Sequence, residues 1–209
     1  MELYHPVNIG SLKLEGNLFL APIAGYSDVA FRTVCVECGA SLCTTEMVSA
    51  EALTRNNLKT EVLMKRAPVE KAYSVQIFGP NEDVMSRAAE IVLSKTDCNC
   101  IDINGGCPVP KITKTGAGSV LTKEPDRLYR IVKAVKDTAL LYAENHPERG
   151  NVPVTIKIRR GWDEEHITWK ECAQAALDAG ADAITIHART RSQMYADTAS
   201  WAEIEQLVK

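Results

Sequence analysis

The sequence predicts an α/β protein, an incomplete (β/α)8 TIM barrel, and three observations carry that prediction. Strand-like and helix-like segments alternate along the 209 residues. Repeated units of this kind with apolar strands build a parallel sheet covered by helices. Five strand-like segments end in a polar residue: Glu46, Gln76, Asn104, Lys157 and His187. A barrel gathers its strand C-termini on one face, where active sites sit, whereas an open sheet spreads them along an edge. No Gly-x-Gly-x-x-Gly follows the first strand, which disfavours an open dinucleotide-binding sheet. About six of the eight βα units of a barrel of about 250 residues are legible. An opened barrel exposes strand edges and apolar surface.

The elements follow in order. Leu18 to Pro22 is a short apolar strand, and Ser27 to Cys38 reads as a helix stopped by Gly39. Ser41 to Glu46 is a second strand, and Glu70 to Ile77 contains a third. Asn81 to Lys95 is a helix opening after Pro80, with Val84, Ala88, Ile91 and Val92 on one face. Asn99 to Asn104 is the fourth strand. Pro125 suits the first position of a helix whose Leu128, Ile131, Val132 and Val135 keep helical spacing. Val152 to Ile158 is the fifth strand. Thr168 and Glu171 have capping-box spacing and open a helix that Gly180 closes. Ala183 to Ile186 is the sixth strand, and Trp201 to Lys209 is helical.

Composition sets the class. With 45% hydrophobic and 24% charged residues the chain is globular, and residues 1–209 read as one domain. The N-terminus lacks a basic-then-apolar signal pattern, and no apolar run reaches the roughly 18 residues of a membrane span. Seven cysteines, an odd number, point to a reducing compartment and a cytoplasmic location. The net charge of −3 argues against a general nucleic-acid binder. Its distribution is uneven, however: Lys111, Lys114, Lys123, Arg127, Arg130, Lys133 and Lys136 face only Glu124 and Asp126 in that stretch. A solvated helix face is the plain alternative to a phosphate-binding strip.

The stretch Cys100-Ile101-Asp102-Ile103-Asn104-Gly105-Gly106-Cys107-Pro108 is the most informative one. It reads as a buried strand that stops at a sharp turn with a thiol at its tip. Two glycines and a proline are a poor setting for a merely packed cysteine. A thiol of ordinary pKa, about 8.5, can donate a proton, or attack as a nucleophile if that pKa is lowered. A buried lysine is rare unless paired, so Lys157 suits a ligand carrying negative charge; snorkelling from the rim is the alternative. His187 suits a donor, a base or a satisfied core histidine. Gln76 and Asn104 can orient a heterocycle or satisfy loop backbone. Cys35-x-x-Cys38 with Cys43 has metal-ligand spacing but no fourth ligand in step, so no metal is expected. Gly116-Ala117-Gly118-Ser119 is a weak candidate for an anion-binding nest.

These residues resemble those of the tRNA-dihydrouridine synthases, in particular the bacterial B-type branch. The shared motifs are Leu20-Ala21-Pro22-Ile23-Ala24-Gly25 with Asp28 and Phe31-Arg32, Thr45-Glu46-Met47, and Val75-Gln76-Ile77-Phe78-Gly79. Others are Ile103-Asn104-Gly105-Gly106-Cys107-Pro108, Gly116-Ala117-Gly118-Ser119, Lys157-Ile158-Arg159 and His187-Ala188-Arg189-Thr190. Departures are Ile23 where methionine is usual, Gly105 at a variable position, and Ala188 where glycine is common. The resemblance implies an FMN-binding barrel reduced by NADPH or NADH and acting on tRNA. It implies Pro22, Ile23, Ala24, Gln76, Lys157 and His187 around the flavin, and Cys107 as the general acid. Hydride would pass to C6 of a uridine and the Cys107 proton to C5, giving 5,6-dihydrouridine. Asn104, Arg159 and Arg189 would bind substrate, with Lys111 and Lys114 near tRNA phosphates. The last strands and a C-terminal helical tRNA-binding domain of the family are missing from this reading of the chain. Two other readings stand beside it: a flavin barrel for free pyrimidines, of the dihydroorotate or dihydropyrimidine dehydrogenase type, and an inactive fragment.

Overall fold

The computed structural model describes residues 3–209. A hairpin of β1 (Val7–Ile9) and β2 (Leu12–Leu14) precedes a curled parallel sheet. The sheet's main path runs β3 (Phe19–Leu20), β4 (Leu42–Thr44), β6 (Tyr73–Phe78), β7 (Cys100–Gly105), β8 (Val154–Gly161) and β9 (Ala183–Thr190), with β5 (Val48–Ser49) beside β6. Six parallel strands in sequential order make a half-barrel, which agrees with the expected incomplete β/α barrel.

The helices form where capping chemistry allows. In α1 (Val29–Glu37) the Asp28 carboxylate accepts from Phe31 N at 2.8 Å, and Gly39, at φ +100°, turns the chain away. Asn81 caps α4 (Glu82–Lys95), which carries Glu82 and Asp83 in its first turn and Lys95 in its last, as the helix dipole favours. Pro125 opens α6 (Pro125–Asn145). In α7 (Trp169–Asp178) Thr168 holds the cap position, but its hydroxyl donates to the Thr122 carbonyl instead of completing a capping box. Short helices α2 (Ala50–Thr54), α3 (Leu58–Val62) and α5 (Pro110–Thr113), a 3-10 turn over Gly118–Lys123, and α8 (Trp201–Val208) complete the chain.

The strands have two unlike faces. Val75, Ile77, Ile101, Ile103, Ile156 and Ile158 point outward and are fully buried against Ala88, Val92, Leu128, Ile131, Val132 and Val135 of α4 and α6. The alternate positions, Ser74, Gln76, Asp102, Asn104, Thr155 and Lys157, are polar and form the inner face. The hairpin was not foreseen, although Gly10-Ser11 is a two-residue turn signal. It packs Ile9 and Leu14 against Leu42 and Ala72, beneath the strand N-termini. Strands β8 and β9 also run further than expected, because Arg159 to Gly161 and His187 to Thr190 continue the ladder through a β-bulge. Among the described residues no helix is long and apolar enough to cross a membrane.

Arg32 and Glu70 tie α1 to the approach of β6. Both are buried, 1% and 3% exposed. Arg32 Nε meets Glu70 Oε1 at 2.8 Å, and its other nitrogens donate to the carbonyls of Ser27 and Lys65. Glu70→Ala leaves this guanidinium buried without its counter-charge. It is expected to cost about 3–5 kcal/mol in urea-monitored unfolding, while Glu15→Ala, which breaks the exposed Lys71–Glu15 pair, leaves the midpoint unchanged. Equal effects of the two substitutions would contradict this account.

Candidate active site

The inner face of the sheet opens at the strand C-termini into a cleft of about 480 Å³, within the usual size of ligand pockets. One wall is apolar: Pro22, Ile23 and Ala24 on the loop after β3, with Met47 and Val109. The floor carries Gln76, Asn104, Lys157 and His187, and Cys107 closes one side. Strand pairing places them together, since Gln76 is registered with Asp102, Asn104 with Lys157, and Arg159 with His187. Of the ten residues expected at the site, eight line this one cleft, all but Arg159 and Arg189.

Hydrogen bonds hold the floor. Asn104 Oδ1 accepts from Gly106 N at 3.2 Å and Cys107 N at 2.9 Å, so the strand's last side chain folds the Cys107 turn over itself. Asn104 Nδ2 donates to Gln76 Oε1 at 2.8 Å, and Gln76 Nε2 donates to Asp102 Oδ2 at 2.6 Å. Thr155 Oγ1 donates to Asp102 Oδ1 at 2.6 Å. Both ends of the Asn104 amide are therefore engaged in shaping the turn, while its side chain also lines the cleft. Gly118, at φ +65°, lies so close that a Cβ there would meet the Cys107 carbonyl oxygen at 2.8 Å. The Gly116–Ser119 loop is packed beneath Cys107, with Ser119 N donating to Cys107 O at 3.0 Å. It is a buried support for the turn and not an open anion nest.

The charges are arranged around a partly dry site. Burial pushes the Cys107 thiol above its ordinary value, opposed by the Val109 backbone N–H and by Arg159 and Lys157. The thiol keeps its proton. Burial also lowers Lys157, against the pull of Asp102, and among the described residues no hydrogen bond or ion pair holds its amine. His187 is driven down to about 4, first by burial and then by Arg159, Lys157 and Arg189. Arg189 Nη1 stands 3.3 Å from His187 Nε2; an arginine only donates, so the imidazole accepts there and is neutral.

Three side chains expected at the mouth of the cleft are held by the protein itself. Arg159 is 1% exposed, and its Nε and Nη1 donate to the carbonyls of Gly106, Thr190 and Met194, so it ties the Cys107 turn to the loop after β9. Arg189 gives two donors to the Asp197 carbonyl and a third to His187, holding a loop at the rim. Glu46 does not point into the cleft; its carboxylate accepts from Gly25 N and braces the turn after Pro22–Ala24. Cys35 and Cys38 lie at the end of α1 and Cys43 is buried on β4; no group of metal-ligating side chains occurs among the described residues. Sequence reasoning missed Asp102, Tyr26 and Tyr195. The Asp102 alternation between two isoleucines was the available signal; nothing local marked the tyrosines.

Fold and cleft define a β/α-barrel protein with its candidate active site at the strand C-termini. The chain belongs to the dihydrouridine synthase (Dus) family, whose family model matches residues 19–209. It is 54% identical over 207 residues to a probable tRNA-dihydrouridine synthase of Treponema pallidum, covering 99% of this chain and 59% of that protein. It is 35% identical over 201 residues to tRNA-dihydrouridine synthase B of Shewanella oneidensis, covering 96% and 59%. The chain thus spans about 59% of the length of these relatives. Among solved structures it resembles DHODH of Eimeria tenella, in complex with ferulenol, with a TM-score of 0.54, 15% identity, and coverage of 86% of this chain and 58% of that one. At that identity the likeness shows the fold.

His187 provides a test by proton NMR. Its folded pKa of about 4 lies below the ordinary value of about 6.5, so the unfolded chain binds the proton more readily between these values. Stability tied to His187 is therefore present at neutral pH and lost as pH falls through that window. The ring resonances are expected to stay in the neutral form down to about pH 5; a midpoint near the ordinary value would contradict the geometry.

Proposed function

We propose that residues 1–209 are the FMN-binding barrel portion of a tRNA-dihydrouridine synthase, which reduces uridine in tRNA with NADPH or NADH. In this reading the further length of the relatives supplies the last two βα units and a C-terminal helical tRNA-binding domain. The observation that carries it is one cleft holding a protonated thiol, a lysine without a partner among the described residues, and an apolar wall.

The donor set fits a flavin. Lys157 and His187 line a slot walled by Pro22, Ile23 and Ala24, and Gln76 keeps one amide hydrogen beyond the bond to Asp102. Pro22, Ile23 and Ala24 would lie along the flavin ring, Gln76 and His187 would contact its polar edge, and Lys157 would meet its negative charge. When bound, FMN supplies the hydride, taken from NADPH or NADH, that reaches C6 of the uracil ring.

The chain's own residues supply the rest. The C5=C6 bond of uracil is conjugated to its C4 carbonyl, so a hydride at C6 leaves an enolate. Cys107, kept protonated by burial, gives its proton to C5 and completes the reduction. Asn104 fixes the turn from which the thiol acts. A uridine in folded tRNA must swing out of its stack to reach the cleft. The exposed Lys111 and Lys114 follow the Val109 edge of the cleft and, with Arg189 at the rim, would meet phosphates. The protein works in the cytoplasm, needs no metal and does not enter a membrane.

In a chain extended to the relatives' length, Cys107→Ala is expected to leave flavin reduction by NADPH intact and to slow dihydrouridine formation in tRNA by about 10²–10⁴-fold, by mass detection. Modification at the normal rate removes Cys107 as the acid. Turnover of a free pyrimidine in place of tRNA would move the reading to the dihydroorotate type. Lys157→Ala is expected to lower flavin occupancy in the visible absorbance spectrum, and full occupancy would take Lys157 out of the site.

A further inference from the structure

The hydrogen bonds beneath the cleft run in one direction. At the top, the N–H groups of Gly106 and Cys107 can only donate, so Asn104 must present its oxygen to them, at 3.2 and 2.9 Å. Asn104 Nδ2 must then face Gln76 Oε1, at 2.8 Å. That leaves Gln76 presenting Nε2 downward, where it donates to Asp102 Oδ2 at 2.6 Å. The two ends of an amide have nearly the same shape, so neither Gln76 nor Asn104 fixes its own orientation. The ends of the chain do. One end is backbone. The other is Asp102, 6% exposed, whose two carboxylate oxygens accept from the Gln76 amide and from the Thr155 hydroxyl, each at 2.6 Å.

We propose that Asp102 is a positioning residue for Cys107: as the acceptor at the base of this chain, it holds the Gln76 and Asn104 amides in the direction that the backbone donors of the turn require, and thereby steadies the Cys107 turn. An amide at position 102 is nearly the same size but can donate. It can hand a hydrogen to Gln76 Oε1, which turns Gln76 Nε2 toward Asn104 and the Asn104 amide nitrogen toward the Cys107 N–H. Two donors would then face each other and the turn would lose its bond. The consequence for turnover rests on the reading of Cys107 as proton donor; the shape of the turn does not.

Hydrogen exchange of the Cys107 amide, followed by NMR in the full chain, reads the turn itself. Asp102→Asn is expected to speed it by about two- to tenfold, the factor one ordinary hydrogen bond corresponds to. The exchanged pair Asp102→Asn with Gln76→Glu moves the carboxylate one place along but restores a one-way chain, and is expected to return the rate to that of the unaltered protein. A lost counter-charge for Lys157 is the rival explanation. On that account Asp102→Asn with Lys157→Met would restore the rate; on ours it stays fast. Thr155→Val, which removes a donor without reversing the chain, is expected to leave the rate unchanged. Exchange unaltered by Asp102→Asn, or an exchanged pair that keeps Ile101 and Ile156 protected but leaves Cys107 fast, overturns the proposal. If Asp102→Asn alone does not fold, the exchanged pair decides by the same criterion. Altered exchange together with full activity of Cys107→Ala would sink the proton-donor reading and uphold this one.

Discussion

A sheet that is apolar on one face and polar on the other must find partners for the amides and carboxylates it buries, and this structure depends on that constraint. The outward isoleucines and valines of β6, β7 and β8 seal against α4 and α6. The inward positions have no such partner. Burying an amide or carboxylate without hydrogen bonds costs several kcal/mol, and Gln76, Asp102, Asn104 and Thr155 sit there as a connected set, while the buried Ser74 hydroxyl beside them has no hydrogen-bond partner among the described residues. The four are bonded side chain to side chain across neighbouring strands. The polar floor of the cleft is therefore part of what makes the strands align in this register.

The same constraint explains how charge is placed. Lys157, Arg159 and Arg189 bring cations toward the cleft, and Asp102 is the buried carboxylate among them. Burial raises Asp102, while Thr155, Gln76 and Lys157 favour its ionised form. Burial with these cations keeps His187 neutral, and burial outweighs their pull to keep Cys107 protonated. A site of this kind offers donors and positive charge beside a proton source. It suits a ligand that gathers negative charge in a reduction.

Much of this was legible in the sequence, and the failures have physical causes. The Cys107 turn was visible because alternating isoleucines, two glycines and a proline admit few other structures. Gln76, Asn104, Lys157 and His187 were found as polar interruptions of apolar strands, and all four line the cleft. Glu46 carried the same signal but bends to a backbone N–H. Arg159 looked like a surface cation, yet its place two residues beyond Lys157 on the same strand face puts it inside. Sequence gives the alternation of faces; it does not say which long side chains find carbonyls to satisfy them. Asp102 was overlooked because its role exists only through Gln76 and Thr155, which are brought alongside it by strand pairing.

The central claim is that one cleft holds a flavin on the Pro22–Ala24 and Lys157 side and presents the Cys107 thiol to a base laid upon it. A crystal structure of the chain, extended to the relatives' length and soaked with FMN, tests this most directly. The account predicts the ring system between the Pro22–Ala24 wall and Lys157, with Cys107 Sγ facing the same space. A flavin bound elsewhere, or a Cys107 sulfur turned away from it, would contradict the account.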